Sequence, residues 1–399
     1  MLSFDNTQYS LAPAAQLNNI RLSLTDHSGV PLPGTEVTLS LPTGFTYGDG
    51  GTGVRNFTTD EHGKVVVNEV KGVTTPGPYS LVARSSEQTA IASVTVNKHA
   101  SLGEILDKNM VQNDIAVLSP DGTQLWVAQF NNGVLLVIDT ARNEVKKVLE
   151  VTNFRNPNPI VFNPLTNHTY LGVQEGVWIF DTTTLERIGE IDPGYSVSKL
   201  ALSPDCTHLY AMPYDELVVR DEVLVIDTAT QDIETRIPIT RHWPIDCVIS
   251  PNSPFLYVSQ APSRELLVVN TDTHSLETSI DIGRSIMRLA ISPNGKFVYA
   301  ARGDFRNVFV IDTSTHQKVK EIESAGVHNM TFGPDGRYLY ATCSFEDKVL
   351  AIDTQTNEIV GEMLFAGALG VAITADNTRA YITSSNMKRG VLFRELPTW

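Results

Sequence analysis

SPNGKFVYAARGDFRNVFVIDT, residues 292–313, is a turn, a strand centred on Tyr299, a loop, and an apolar strand ending in Ile311-Asp312-Thr313. The turn recurs at Ser119-Pro120-Asp121-Gly122, Asn163-Pro164, Ser203-Pro204-Asp205, Ser250-Pro251-Asn252, Gly333-Pro334-Asp335-Gly336 and Thr374-Ala375-Asp376-Asn377. Its spacing of about 40 to 47 residues is the period of four-stranded propeller blades. One aromatic falls in each second strand: Trp126, Tyr170, Tyr210, Tyr257, Tyr299, Tyr340 and Tyr381. Such regular recurrence implies packing between neighbouring units rather than seven stacking sites for a ligand.

The strand ending recurs as Ile138-Asp139-Thr140, Phe180-Asp181-Thr182, Ile226-Asp227-Thr228, Val269-Asn270-Thr271 and Ile352-Asp353-Thr354. A carboxylate followed by Thr at a strand end accepts backbone donors of the next turn, so these Asp residues read as structural. The last unit ends on Gly390-Val391-Leu392-Phe393 and lacks a fourth strand. Leu102-Gly103-Glu104-Ile105-Leu106 matches the fourth strands Ile188-Gly189-Glu190-Ile191 and Val360-Gly361-Glu362-Met363. The expectation is an all-β chain whose residues 98–399 form a seven-bladed β-propeller. A strand at about 102–106 completes blade seven and hides the sheet edges.

Residues 1–97 do not share the repeat. They show short alternating strands at Ile20–Leu24, Glu36–Leu41, Lys64–Val67, Tyr79–Ala83 and Ala90–Val96, the pattern of a β-sandwich. Gly34 and Gly63 fall where turns need a residue without a side chain. The run Gly48-Asp49-Gly50-Gly51-Thr52-Gly53 lacks a following helix and a Gly-Lys-Ser/Thr ending, so it reads as a loop and not a phosphate cradle.

Two resemblances sharpen this reading. Asp26-His27-Ser28-Gly29-Val30-Pro31-Leu32-Pro33-Gly34, Thr59-Asp60-Glu61-His62-Gly63-Lys64 and Gly77-Pro78-Tyr79 resemble the bacterial Ig-like domain of the invasin/intimin type. The repeats resemble YVTN-type propeller repeats of the YncE-like and surface-layer-like kind, over about three quarters of the chain. The first resemblance implies export to the periplasm or cell exterior. The start Met1-Leu2-Ser3-Phe4-Asp5 shows no secretory signal, which leaves a cytoplasmic location as the alternative.

The 399 residues carry a formal charge of -15, which argues against a nucleic-acid partner even though YncE-like relatives have been associated with one. No apolar run approaches the ~18 residues that span a bilayer. Cys206, Cys247 and Cys343 lie in different repeats without a Cys-x-x-Cys pair and read as small buried hydrophobes. No His-Glu-x-x-His, Gly-x-Ser-x-Gly, P-loop or tandem-Asp calcium loop occurs, and no cofactor is expected.

Propellers bind ligands at one end of the channel, where the loops joining strand four to one and two to three emerge. Counting back four residues from each turn, and five in the first unit on the assumption of a bulge, gives Asp114, Pro159, Lys199, Asp246, Arg288, Asn329 and Gly370. Above that ring lie Arg241, His242, Trp243, Arg284, Arg306 and His328, with a long insertion at Pro213–Glu222. His168, His208, His274 and His316 fall at the opposite end and read as solvated. Confined charges need partners, so the ring is either a network of mutual ion pairs or a polar pocket. Arginines beside Trp, Phe and His suit a protein or glycan ligand. The leading expectation is non-catalytic recognition or adhesion. The alternative is a metal-assisted lactonase-like hydrolase or lyase using Asp114, Asp246, His242 and His328.

Overall fold

In the computed structural model, each repeat of the quoted phrase is one four-stranded antiparallel sheet. The residues described are all except 6, 12–15, 74–76, 87, 97–101, 106–114, 130–132, 152–159, 215–219, 240–241, 303–305, 385–390 and 397–399. The chain divides into two units, one built on Met1–Gly103 and one on Glu104–Phe393.

Sheet one consists of Ile115–Leu118, Gln124–Gln129, Val134–Asp139 and Glu144–Glu150. Sheets two to six run from Ile160–Asn163 to Arg187–Ile191, Ser196–Leu202 to Ile233–Pro238, Trp243–Ile249 to Ser275–Asp281, Arg288–Ile291 to Gln317–Glu323, and Asn329–Phe332 to Glu358–Leu364. The last sheet has the hydrogen-bonded order Leu102–Ile105, Val391–Glu395, Arg379–Ser384, Ala368–Ile373.

Local chemistry explains the turns. Asp312 Oδ1 accepts the N–H of Ser314 (2.8 Å) and Thr315 (3.0 Å), and Asn270 Oδ1 does the same for Asp272 and Thr273. The neighbouring Thr313 hydroxyl donates to Gly295 O (2.6 Å), tying this turn to the Ser-Pro turn of its own sheet. Hydrogen bonds of this kind stabilise the ionised carboxyl; those from Thr374 and Thr378 lower Asp376 to about 2. Gly122, Gly295 and Gly336 take φ of 67–70° in the Ser-Pro turns, and Cys206 takes 63° at the same place. Cys206 therefore corrects the expectation of three buried cysteines. Cys247 and Cys343 are buried, whereas Cys206 is half-buried at a turn whose carbonyl accepts from Thr228 (2.8 Å) and Asn163 (2.9 Å).

The second-strand aromatics are all at most 2% exposed, and Tyr257, Tyr299 and Tyr381 meet polar groups of the neighbouring sheet. Tyr299 OH donates to Asn357 Oδ1 (2.6 Å) and Tyr381 OH to Asn143 Oδ1 (2.9 Å), while Tyr257 OH lies 3.4 Å from His316 Nδ1. Each partner has positive φ in the hairpin between the next sheet's third and fourth strands. Tyr381 thus joins the last sheet to the first by the contact used elsewhere, and Ala372 and Val391 share a buried cluster with Ala116 and Leu136. The four histidines at this end are half-buried and not simply solvated. His316 packs edge-on against Phe255 at 5.0 Å, and the rings of His208 and His274 are 6.2 Å apart. The close seams between sheets draw them in.

The first unit has two sheets over one core that includes Ile20, Leu22, Val37, Leu39, Phe45, Leu81 and Val94. One has the order Leu2–Phe4, Gln16–Leu24, Lys64–Lys71, Thr46–Tyr47. The other has Gln8–Leu11, Gln88–Val96, Gly77–Ser85, Glu36–Ser40, Val54–Thr58. Along Lys64–Lys71, Val65 and Val67 are buried at the two-residue spacing of a strand, and Val70, three residues further on, is buried as well. Gly63 has φ 69°, and a Cβ there would sit 2.5 Å from Leu24 O, so the turn admits only glycine.

Candidate functional site

Strand register defines the ring at the end where first strands begin. Lys199 pairs with Met212, Asp246 with Ser259, Arg288 with Ala301 and Asn329 with Thr342, each partner lying two residues after the second-strand aromatic. In sheet one that partner, Ala128, faces Ile115, and the ladder runs without interruption to Leu118. Ile115 therefore holds the ring position that the assumed bulge gave to Asp114, which itself lies outside the described residues. In sheets three and four the register shifts lie upstream, between Val197/Lys199 and Pro244/Asp246.

The polar ring residues bond across sheets. Lys199 Nζ lies 2.7 Å from Asp246 Oδ1, with the side chains 19% and 2% exposed. Asp246 Oδ2 accepts the N–H of Leu289 in sheet five (2.9 Å), and Oδ1 accepts Cys247 N–H (2.9 Å). Arg288 Nε donates to His328 O on the sixth repeat (2.8 Å). Thr342 Oγ1 donates to Leu369 O of the last sheet (2.7 Å). A run of charge-assisted and neutral bonds thus links sheets three through seven around the mouth.

Three buried hydroxyls belong to this ring and escape a reading of charged residues. Ser259, Thr342 and Thr383 are 0% exposed and lie near the carbonyls of Asp246, Asn329 and Gly370. Thr383 Oγ1 also accepts Gly370 N–H (2.8 Å). Their shared offset of two from the aromatic is the signal that finds them. Inside the mouth, a cavity of about 350 Å³ is lined by Lys199, Asn329 and apolar first-strand residues such as Val117, Phe332 and Ile373.

His328 is half-buried, and burial together with the Arg288 guanidinium pushes its imidazole down to about 4. The unfolded chain takes up a proton near the usual value of about 6.5, and the folded chain does so only near 4. Stability is therefore full above about pH 6.5 and declines as pH falls towards 4. Urea titrations across that window should show the decline, and His328→Gln should remove this component; an unchanged slope in the variant would assign it elsewhere.

The remaining candidates stand above the ring. His242 and Trp243 are half-buried, and His242 O accepts from Gln260 Nε2 (3.2 Å). His242 lines a groove with Arg264, Glu265 and Asp281, while Arg284 and Arg306 are exposed. Arg241 lies outside the described residues, as do 215–219 of the long insertion. The base of that insertion is fixed: Tyr195 OH bonds Glu222, Arg236 Nη1 reaches Glu222 Oε1 (2.8 Å), and the Arg220 guanidinium lies 4.7 Å from the Tyr195 ring centre. Sequence reasoning misses Phe345, which is 83% exposed between the second and third strands of sheet six. Antiparallel order puts that loop at the same end as the ring. Among the described residues no three His, Cys, Asp or Glu side chains come together as a metal-ligand set. No helix among them is long and apolar enough to cross a membrane.

No protein-family model and no curated protein matches this chain. Among solved structures, a hydrazine synthase chain from Kuenenia stuttgartiensis is similar with a TM-score of 0.62. The match has 17% identity and covers 74% of this chain and 98% of that one. Taken with the repeated antiparallel sheets, this likeness decides the architecture. The fold is a β-propeller. The propeller is what the likeness shows, and at this identity it carries no activity across.

Proposed function

We propose that this β-propeller is a non-catalytic recognition or adhesion module whose rim loops bind a protein or a glycan. One observation carries the reading. The ionisable ring residues described at the mouth, Lys199, Asp246 and Arg288, are committed to bonds between sheets, while Arg306 and Phe345 stand exposed at the same end. A catalytic constellation needs groups poised for a substrate; Lys199 and Asp246 are held by each other, and Arg288 by the backbone carbonyl of His328. Exposed Arg and aromatic side chains are the residue types that dominate binding hot spots.

In this proposal the disc has seven YVTN-type blades over residues 98–399, closed by the strand at 102–105, and residues 1–97 form an invasin-type Ig-like domain serving as spacer. That pairing favours a periplasmic or extracellular location. The charge of -15 supports a partner other than nucleic acid. Binding of wild-type protein to glycan arrays and to candidate surface proteins should fall at least about tenfold in Phe345→Ala and Arg306→Ala. Ligands that bind both variants as well as wild type would place recognition elsewhere, and turnover of a substrate would replace the reading.

A further inference from the structure

We infer that the groove between sheets five and six, which shares Arg306 with the proposed rim surface, is a small-molecule site for a zwitterion, an α-amino acid or dipeptide with an aliphatic side chain. The groove encloses about 320 Å³ beside the rim, the lower end of the range for ligand pockets. Its lining carries two cations, Arg306 and Lys348, and three carboxylates, Glu323, Glu346 and Glu362, with Leu350 also in the wall. Lys348 Nζ and Glu362 Oε2 neutralise each other at 3.0 Å. No hydrogen bond or ion pair of the Arg306 guanidinium or the Glu323 carboxylate falls among the described residues.

Glu346 is the informative member. Its Oε1 accepts Gly326 N–H at 3.3 Å, which orients the carboxylate, while Oε2 is shielded from water and has no hydrogen-bond partner among the described residues. A shielded carboxylate oxygen without a donor is unfavourable and calls for one. A ligand ammonium satisfies Glu346, and a ligand carboxylate satisfies the planar fork of Arg306. A purely anionic ligand leaves Glu346 unmatched, and a purely cationic one leaves Arg306 unmatched. Ile359, 39% exposed in the same lining, offers an apolar surface for an aliphatic side chain.

This site goes beyond macromolecular recognition at the rim, and its test reads small molecules alone. Isothermal titration of the full chain would compare L-leucine and Leu-Leu with 4-methylpentanoate, which lacks the ammonium, and 3-methylbutylamine, which lacks the carboxylate. The expected result is binding of at least one zwitterion about tenfold or more tighter than of either half-analogue. That preference should disappear in Arg306→Gln and Glu346→Gln. No zwitterion binding at millimolar concentration, equal affinity for the half-analogues, or unaltered binding by the variants overturns it. Because the half-analogues are tested on wild-type protein, the result does not depend on either variant folding.

Discussion

Replacing Asp246 with alanine is expected to lower the unfolding free energy by about 3–5 kcal/mol, the loss typical of breaking a buried ion pair. The carboxylate is 2% exposed and serves three donors: Lys199 Nζ at 2.7 Å, Leu289 N at 2.9 Å and Cys247 N at 2.9 Å. Alanine strands an ammonium that is 19% exposed, and leaves two backbone N–H groups without their acceptor. Asparagine keeps part of the acceptor geometry but no charge, so Asp246→Asn should lie between alanine and wild type. Denaturant titration at pH 7 measures both. A loss below about 1 kcal/mol for alanine is what an exposed pair would give, and would contradict the burial argument.

Gly176→Ala should be the most damaging glycine substitution in the second sheet. Gly176 opens the third strand opposite Val173 with φ 126°, a conformation that L side chains rarely adopt. A Cβ would lie 2.2 Å from Ile191 O and 2.6 Å from Pro193 Cδ, and neither a backbone carbonyl nor a proline ring swings aside. Strain and overpacking together should remove about 3 kcal/mol or more. Gly194 provides the control. Its φ is 87°, but nothing lies within 4 Å of the added Cβ, so Gly194→Ala carries only the backbone term of about 1–2 kcal/mol. Equal losses in the two variants would mean that the clash at Gly176 is relieved by movement.

Much of the propeller is legible because its sequence solves one local problem repeatedly. Asp-Thr endings accept backbone donors, Ser-Pro turns need a left-handed residue, and one aromatic fills each seam. These requirements act within a few residues, so they survive as phrases in the chain. The ring is legible where polar residues mark it, at Lys199, Asp246, Arg288 and Asn329. It is obscured in sheet one, where Ile115 carries no charge and Asp114 beside it does. The buried hydroxyls Ser259, Thr342 and Thr383 are hidden differently. Serine and threonine occur throughout the chain, and the offset of two from each aromatic singles out these three only once strand register shows that this position faces the ring. Exposure of Phe345 depends on what packs above it, which no local pattern records. The histidines at the opposite end mislead for the same reason, since their surroundings come from the neighbouring sheet.

The central claim is that charged residues at the channel mouth hold sheets together. A double-mutant cycle on Lys199→Ala and Asp246→Ala tests it most directly. If the pair joins sheets three and four, the two losses should overlap, with a coupling energy of about 1.5 kcal/mol or more by denaturant titration. Losses that add to within about 0.3–0.5 kcal/mol would show two independent side chains and contradict the account.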